Sequence, residues 1–273
     1  MPPQPGVYFL LAENTELLYV GKASNLRTRL AQHARAAGAT TDVRLRALYA
    51  RTGEVRWEAA PDEAAAAARE ADVIVALQPR FNASIVDEGR WNYVTIEPGR
   101  HGPASMRLGL TPSTDRPAQA YGCFPHLGHG LSSGPGIACS DGYTALLRLL
   151  WVCSTGGTLP IPSRLSTGRV CDAIEIPVPA AWRAPLHALL SGTSCRLLAD
   201  LAVVETAHAP HLRSGLLRDA VAAESFFRHG PVAVRRLRLR HGRRGRTITR
   251  DQVRAMVTAD LHEAIGPFRL PVT

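Results

Sequence analysis

One acidic residue is placed by its spacing on a side of a helix that should be buried. Glu70 lies within a predicted alanine-rich helix over 62–77, three and four residues before Val73 and Ile74 on the same apolar stripe. A carboxylate in an apolar setting is costly unless a cation or hydrogen-bond donors compensate it. We therefore expect Glu70 to line a cleft that supplies such a partner. The alternative is a carboxylate at the rim of the helix, paired with Arg69 or another arginine.

Two tyrosines and two basic residues precede that helix in positions that suit an anion. If the hairpin register pairs Tyr8 with Gly21, Tyr8 and Tyr19 fall on one face of the sheet. Gly21 would let a phosphate backbone approach closely, and Lys22 and Arg29 would add positive charge beside it. Taken singly, each residue also fits an ordinary strand aromatic or a solvated surface charge, so only the combination is informative.

The elements that must position these groups fall within the first hundred residues. Apolar alternation, turn residues and caps predict, in chain order, strand 6–12, strand 17–22, a helix that starts at Ser24 or Asn25, a short helix over 42–49, strand 54–59 and the helix 62–77. The hairpin is expected to pair Ala12 with Leu17 and Leu10 with Tyr19. The expected fold class is therefore α+β.

The same residues belong to an ordered set of motifs. The set is Gly6-Val7-Tyr8, Tyr19-Val20-Gly21-Lys22, Asn25-Leu26-Arg27-Thr28-Arg29-Leu30, Glu70 and Leu77-Gln78-Pro79-Arg80-Phe81-Asn82. It resembles the GIY-YIG nuclease family and, more narrowly, the N-terminal nuclease domain of UvrC-type excision endonucleases and of their short homologue Cho. The resemblance covers residues 5–97. It implies a GIY-YIG nuclease domain over residues 1–100, with a small antiparallel three-stranded sheet flanked by helices.

The resemblance implies metal-dependent hydrolysis of a single DNA phosphodiester. It implies that Tyr8 hydrogen-bonds or activates the attacking water, that Lys22 assists Tyr8, and that Tyr19 supports the nucleophile and the scissile phosphate. Glu70 would hold one divalent cation, Mg²⁺ or Mn²⁺. Such a reaction needs an in-line oxygen nucleophile, a cation on the phosphate oxygens and donors for the developing charge.

Other residues of the motifs complete the implied site. Arg29 would stabilise charge on the phosphate, and His33, four residues later on the same helix, would contact phosphate or water. Asn82 would position the site after the long helix. Arg27 and Arg80 are candidate DNA contacts.

Beyond residue 100 the sequence predicts two further regions. Residues 101–160, rich in Gly, Pro, Ser and Thr, are expected to form an irregular linker or subdomain with one helical stretch over 144–152. Residues 161–273 are expected to form a mixed, mostly helical region that contains a basic ribbon, in which apolar residues alternate with arginines as in a strand. The candidate DNA contacts of this ribbon, which could equally be a solvated face, are Arg235, Arg236, Arg238, Arg240, Arg243, Arg244 and Arg246.

The cysteines do not favour a metal cluster. UvrC-type proteins carry closely spaced cysteine pairs that hold an iron–sulfur cluster, whereas this sequence has no CxxC or CxxxC pair, so we do not expect one. Cys123, His126, His129 and Cys139 could bind zinc in principle. Their spacing fits no standard zinc module, and a plain loop is the alternative.

Composition agrees with a nucleic-acid partner. Lys and Arg number 32 against 23 Asp and Glu, and the net charge of +9 favours anionic partners. The sequence shows no secretory signal and no apolar stretch near the roughly 20 residues of a membrane helix, so we expect a cytoplasmic protein without a membrane partner. The expected substrate is damaged double-stranded DNA in nucleotide excision repair, with a UvrA/UvrB-type loading system as a partner. The alternatives are a restriction-type or mobile-element nuclease that cuts undamaged DNA, and a catalytically silent DNA-binding scaffold.

Overall fold

The computed structural model describes residues 2–82, 91–100, 105–111, 120–125, 139–166, 173–208 and 213–270. The chain divides into two compact units. The first combines Met1–Glu88 with Asp251–Thr273, and the second is Gly89–Arg250. This division differs from the boundaries expected at residues 100 and 160, because the last segment of the chain returns to the first unit.

A three-stranded antiparallel sheet forms the centre of the first unit. Its strands, in the order β2-β1-β3, are β1 (Gly6–Leu11), β2 (Leu17–Ala23) and β3 (Glu54–Ala59). Every residue of the central strand β1 is buried, as a continuous apolar run predicts. The predicted pairs Tyr8 with Gly21 and Leu10 with Tyr19 are confirmed. The expected α+β class with a small antiparallel sheet is confirmed as well.

The third predicted pair of the hairpin is wrong. A register shift between Leu10 and Leu11 places Leu11, rather than Ala12, opposite Leu17. Such a bulge adds one residue to one strand, and residue alternation in the sequence does not reveal it.

Three helices of the first unit follow the predicted order and caps. They are α1 (Leu26–Ala36), α2 (Val43–Tyr49) and α3 (Glu63–Leu77). The Asn25 side chain accepts the amide of Thr28 at 3.0 Å and caps α1, and Asp62 caps α3 through the amide of Ala65 at 2.7 Å. Leucines of α1 and α2 pack against β1 and β2 in one buried cluster. The sheet and these helices therefore share one core.

The second unit has a four-stranded antiparallel sheet, ordered β6-β4-β5-β7. Its strands are β4 (Trp91–Pro98), β5 (Ser105–Thr111), β6 (Ala120–Pro125) and β7 (Ala173–Pro177). Its helices are α4 (Cys139–Thr155), α5 (Ser163–Ser166), α6 (Ala180–Leu190), α7 (Arg196–His208), α8 (Arg213–Phe227), a π-helical turn (Arg228–Val232) and α9 (Ala233–Arg240). In the described part of the chain, no helix has the length and hydropathy that crossing a membrane requires.

Two parts of the second unit differ from the expectation. The region 101–160, expected to be irregular apart from one helical stretch, contains the strands β5 and β6, because antiparallel pairing and packing override the low strand propensity of its glycines. The predicted helical stretch over 144–152 lies within α4. The expected basic ribbon is the helix α9. Its apolar alternation slips by one residue at Arg235-Arg236, which breaks the period of a strand. Val234 and Arg238, four residues apart, are buried on one side of the helix.

The last helix, α10 (Arg250–Ile265), leads the chain back into the first unit. The segment after it pairs with the loop before β2, since Leu17 N donates to Arg269 O at 2.9 Å and Arg269 N donates to Thr15 O at 2.8 Å. The Arg56 guanidinium on β3 donates to the carbonyls of Ile265 and Pro267 at 3.1 and 2.7 Å. Residues far apart in sequence thus complete this unit.

Candidate active site

The outer edge of strand β2 is covered by the segment that follows α3. Phe81 N donates to Leu18 O at 2.9 Å. The side-chain amide of Asn82 then pairs with Val20: Oδ1 accepts from the backbone N–H and Nδ2 donates to the carbonyl, both at 2.8 Å. Asn82 is 1% exposed. An edge strand needs partners for its outward N–H and C=O groups, and Asn82 supplies both at one residue.

Glu70 continues this edge two residues further along β2. Its Oε1 accepts the backbone N–H of Lys22 at 2.9 Å. Burial raises the pKa of Glu70 above its ordinary value, against the lowering effects of that hydrogen bond and of the charges on Lys22 and Arg29. Arg69, the alternative partner suggested by the sequence, instead donates to Glu58 at 3.1 Å. The carboxylate therefore faces Lys22 and Arg29 at the edge of β2.

A chain of three hydrogen-bonding rings begins at Tyr8. Tyr8 Oη lies 2.8 Å from His33 Nε2, and His33 Nδ1 lies 2.8 Å from Tyr49 Oη. Burial and the nearby Arg29 charge lower the pKa of His33, so the imidazole is neutral at neutral pH. A neutral imidazole has one donor and one acceptor nitrogen, so one phenol donates to it and the other accepts from it.

The phenol of Tyr8 is fully buried and stays protonated at neutral pH. Burial, and after it Tyr19, raises the pKa of Tyr8 above its ordinary value, although the Arg29 guanidinium beside it acts in the opposite direction. The ring centroids of Tyr8 and Tyr19 are 6.1 Å apart, which agrees with the predicted placement of both tyrosines on one face of the sheet. Tyr8 is therefore suited to pass a proton along a hydrogen bond rather than to act as a phenolate.

Gly21 makes room for this arrangement. A Cβ built at Gly21 would overlap the ring and hydroxyl of Tyr8 and would come within 2.9 Å of Cε1 of Tyr19. The space that the sequence suggested for an approaching phosphate is filled by the Tyr8 phenol. Glycine is thus required here by the packing of the two tyrosines.

Exposed positive charge lies beside the buried rings. Lys22 and Arg29 are exposed, and Arg29 Nη1 donates to Gln32 Oε1 at 3.3 Å. Arg29 influences the pKa of both Tyr8 and Glu70, so it links the tyrosine side of the site to the carboxylate. The arrangement combines a half-buried carboxylate, guanidinium and ammonium groups and a neutral phenol–imidazole pair, which suits a phosphate and a proton transfer.

Comparison with known proteins agrees with this geometry. A family model described as the UvrC-like GIY-YIG domain matches residues 4–83. Residues 4–83 thus match the UvrC-like GIY-YIG domain. This confirms the resemblance carried by the motifs, and all seven predicted catalytic residues lie in the matched range.

Relatives of the GIY-YIG domain match this chain over different lengths. UvrABC system protein C of Rhodopseudomonas palustris is 35% identical over 127 residues, which are 46% of this chain and 18% of the relative. UvrABC system protein C of Nitrobacter winogradskyi is 30% identical over 236 residues, which are 82% of this chain and 32% of the relative. The chain thus spans about a third or less of the length of these relatives.

A solved structure also matches the GIY-YIG domain. The magnesium-bound GIY-YIG N-terminal endonuclease domain of UvrC from Thermotoga maritima is 26% identical and covers 30% of this chain and 85% of that chain, with a TM-score of 0.26.

The GIY-YIG domain offers one carboxylate to a cation. Mg²⁺ is commonly bound through one or two carboxylates, with water and substrate phosphates as its other ligands. Glu70 fits that pattern, since Oε1 is held by Lys22 N and the orientation of the carboxylate is thereby fixed. In the part of the chain that the structure describes, no cluster of three or more His, Cys, Asp or Glu side chains is suited to a metal.

One residue of this site was missed by the sequence analysis. Tyr49, at the end of α2, contacts His33 through its hydroxyl, and burial raises its pKa. No spacing in the sequence links Tyr49 to His33, because they lie on different helices. The only signal was a tyrosine at the end of a helix predicted to pack on the same core.

The predicted DNA-contacting arginines differ in exposure. Arg27 and Arg80 of the GIY-YIG domain are exposed. In the basic segment 235–246, Arg236, Arg240, Arg243, Arg244 and Arg246 are exposed and Arg235 is half-buried. Arg238 is 7% exposed, since it lies on the inner side of α9, and it does not suit a DNA contact.

The zinc hypothesis rests mainly on residues outside the described part of the chain. Cys123 is buried, and burial raises the pKa of its thiol to about 12, which disfavours the thiolate that zinc binds. His126, His129 and the side chain of Cys139 lie outside the described residues. Zinc binding at these positions stays a prediction.

Proposed function

We propose that this chain is a metal-dependent DNA endonuclease of the UvrC/Cho-like GIY-YIG class that hydrolyses a single phosphodiester. The observation that carries the proposal is the position of Glu70, whose carboxylate is fixed at the edge of β2 within reach of the Lys22 and Arg29 charges. A carboxylate next to cationic groups, with a phenol–imidazole pair behind them, matches what phosphodiester hydrolysis requires.

Glu70 is the residue that would hold the cation, Mg²⁺ or Mn²⁺. When bound, the ion supplies Lewis-acid stabilisation of the charge that develops on the phosphate and leaving oxygens. Arg29 stabilises charge on a phosphate from the exposed side, and Tyr19, whose ring lies beside that of Tyr8, would support the nucleophile and the phosphate. Asn82 acts indirectly, because it fixes the end of α3 and so the position of Glu70.

Tyr8 and His33 form the proton-accepting pair of the proposed reaction. As the attacking water forms its bond to phosphorus, one of its protons moves to Tyr8 Oη, and the phenolic proton moves across the 2.8 Å hydrogen bond to His33 Nε2. This transfer requires the tautomer in which His33 Nδ1 carries the proton and donates to Tyr49 Oη. Tyr8 leaves the step as a neutral phenol, as its raised pKa favours.

The proposed substrate is damaged double-stranded DNA in nucleotide excision repair. The net charge of +9 and the exposed arginines at positions 27, 80, 236, 240, 243, 244 and 246 support a polyanionic partner. The relatives are named as components of a UvrABC system. A UvrA/UvrB-type loading system is therefore a proposed partner, and the cytoplasm a proposed location.

The proposal is tested by incision of labelled duplexes, with and without a lesion, in Mg²⁺ or in EDTA. Incision is expected in Mg²⁺ only, on the lesion-bearing strand, and is expected to be lost in Glu70→Gln and Tyr8→Phe. Glu63→Gln, in the exposed first turn of the same helix, is the matched control and should cut normally. Discrete bands from undamaged plasmid would favour a restriction-type nuclease, and binding without any cleavage would favour a scaffold.

A further inference from the structure

The second unit contains a polar pocket that the proposed reaction does not use. The pocket has a volume of about 350 Å³ and is lined by Tyr121, His187, Ala188, Ser191 and Arg246. Tyr121 belongs to β6, His187 and Ala188 to α6, and Arg246 to the segment after α9. Three separate parts of this unit therefore converge on one cavity.

A hydrogen-bond network fixes the polar groups of the pocket. Arg246 Nη1 donates to Tyr121 Oη at 3.1 Å, and its guanidinium carbon lies 5.7 Å from the centroid of the Tyr121 ring. The Tyr121 hydroxyl also makes a short hydrogen bond to His187 Nδ1. Because Arg246 can only donate, the hydroxyl accepts from it, and its own proton is available to Nδ1.

Some N–H groups of Arg246 and His187 are not used by this network and could bind a ligand. Burial and the Arg246 charge lower the pKa of His187, so the ring is neutral. In the tautomer that accepts the Tyr121 proton at Nδ1, the ring carries its own proton on Nε2. Arg246 is exposed as a residue and has further N–H groups beyond the one bound to Tyr121. The pocket therefore presents a guanidinium and an imidazole N–H, while the Ser191 hydroxyl donates its proton to Ala188 O at 3.0 Å.

The charge of the pocket is positive. Its lining contains no acidic side chain. Among the ion pairs of the described residues, none involves Arg246. Arg243 and Arg244, exposed in the same segment, add to the positive field. An unneutralised guanidinium with neutral donors around it selects an anion.

The backbone beside Arg246 is held in place. Ile248 N donates to Gly122 O at 2.8 Å, and Cys123 N donates to Ile248 O at 3.1 Å, so the segment pairs with β6 next to Tyr121. A preorganised guanidinium loses less freedom on binding than one on a free surface loop. The pocket is thus built before a ligand arrives.

We propose that this pocket binds a phosphate group of the DNA backbone, an inference that rests on DNA as the substrate of the proposed function. A guanidinium recognises a phosphate through two parallel N–H donors, and the imidazole N–H adds a donor for a further oxygen. Exposed arginines next to the pocket in sequence favour a polymer with successive phosphates over an isolated anion.

Binding of a labelled duplex over a series of salt concentrations tests the pocket. The measurements use the Glu70→Gln background in EDTA, so that cleavage cannot interfere. Arg246→Ala is expected to weaken binding about tenfold and to reduce the slope of log affinity against log salt by about 1. The control, Arg218→Ala, removes an equal charge from an exposed position on α8 of the same unit. It is expected to change the affinity and the salt slope less than Arg246→Ala does.

A second variant distinguishes the contribution of the hydrogen-bond network from that of net charge. Tyr121→Phe keeps the net charge and the ring but removes the hydroxyl that holds Arg246, so a several-fold loss of affinity is expected with thermal unfolding close to that of the parent. Equal losses in Arg246→Ala and Arg218→Ala would mean that only net charge matters. Full affinity in Tyr121→Phe would mean that the network does not build the site. Either result overturns the proposal.

Inorganic phosphate provides a test that is independent of DNA and of the Tyr121 variant. It should shift the His187 ring resonances in the parent and leave them unshifted in Arg246→Ala. If phosphate shifts the resonances in neither protein, the pocket does not bind phosphate and the proposal is overturned. If phosphate shifts them in the parent but the parent binds DNA no more tightly than Arg246→Ala does, the pocket is a small-anion site and the DNA assignment is overturned. If the protein never cuts DNA but the phosphate and DNA results hold, the pocket stands and the proposed nuclease function fails.

Discussion

The side-chain amide of Asn82 pairs with the backbone of Val20 through two hydrogen bonds of 2.8 Å, in the manner of a neighbouring strand. Since Asn82 follows α3 closely, this pair ties the end of α3 to the edge of β2. Glu70, about two turns before the end of α3, then meets Lys22 on the same edge. Two contacts with β2 thus fix the position of the Glu70 carboxylate: its own bond to Lys22 N and the Asn82–Val20 pair that follows the helix.

Asn82→Ala is expected to lower the free energy of unfolding by about 3 kcal/mol, because it leaves the N–H and C=O of Val20 without partners in a buried setting. Urea unfolding measures the change. Asn14→Ala removes an exposed side-chain bond to the Glu16 amide and should cost much less. Equal effects in the two variants would contradict the strand-like role of Asn82.

Tyr49→Phe is expected to reduce incision about tenfold with little change in stability, because it removes the group that fixes the tautomer of His33. The rate constant of a single turnover measures the loss. NMR of the His33 ring distinguishes this effect from a loss of packing. In Tyr49→Phe the proton should no longer be confined to Nδ1, whereas a change in packing alone would leave the tautomer unchanged. An unchanged tautomer and an unchanged rate would show that Tyr49 plays no part.

Glu70→Gln is expected to stabilise the fold at about pH 7 while it abolishes incision. Because the pKa of Glu70 is raised in the folded protein, ionising it costs more there than in the unfolded chain. Stability is therefore lost as the pH rises from the ordinary Glu pKa of about 4.3 through the raised pKa of the folded protein, and the glutamine avoids this loss.

The stabilisation by Glu70→Gln should shrink as the pH is lowered below about 4, where the carboxyl is protonated in both states. Thermal unfolding across this range measures it. The control is Glu63→Gln, which removes an exposed acid from the first turn of α3 and should be slightly destabilising at neutral pH. A Glu70 variant that is less stable than the parent at neutral pH would contradict the cost of burying this charge.

Gly21→Ala is expected to destabilise the first unit by about 1–3 kcal/mol, because the added methyl group would displace the Tyr8 ring. The matched control is Gly38→Ala, since a Cβ at Gly38 meets no atom within 4 Å. Guanidinium unfolding of both variants gives the comparison. Equal stabilities would show that the rings can rearrange around residue 21.

The candidate site could be predicted from the sequence where its signals are local. The register that sets Tyr8 opposite Gly21 follows from strand alternation, and the cap at Asp62 sets the phase of α3 that turns Glu70 toward the sheet. The role of Asn82 as a partner for Val20 needs the tertiary fold, because the contact joins residues 62 positions apart.

The remaining differences arise from contacts that leave no local signal. In α9, alternation with one slip fits a strand and a helix about equally, and burial of Arg238 beside Val234 decides between them. The return of α10 to the first unit is fixed by bonds of Arg56 and Arg269 to distant backbone, which composition does not reveal. Tyr49 was missed for the same reason.

The split composition of the first unit sets an order of events during synthesis. The acceptors for Arg56 and the pairing partner of Leu17 are translated after the whole of Gly89–Arg250. The middle portion can consequently reach its native form on the ribosome while the part that holds Glu70 still awaits the segment that pairs with β2.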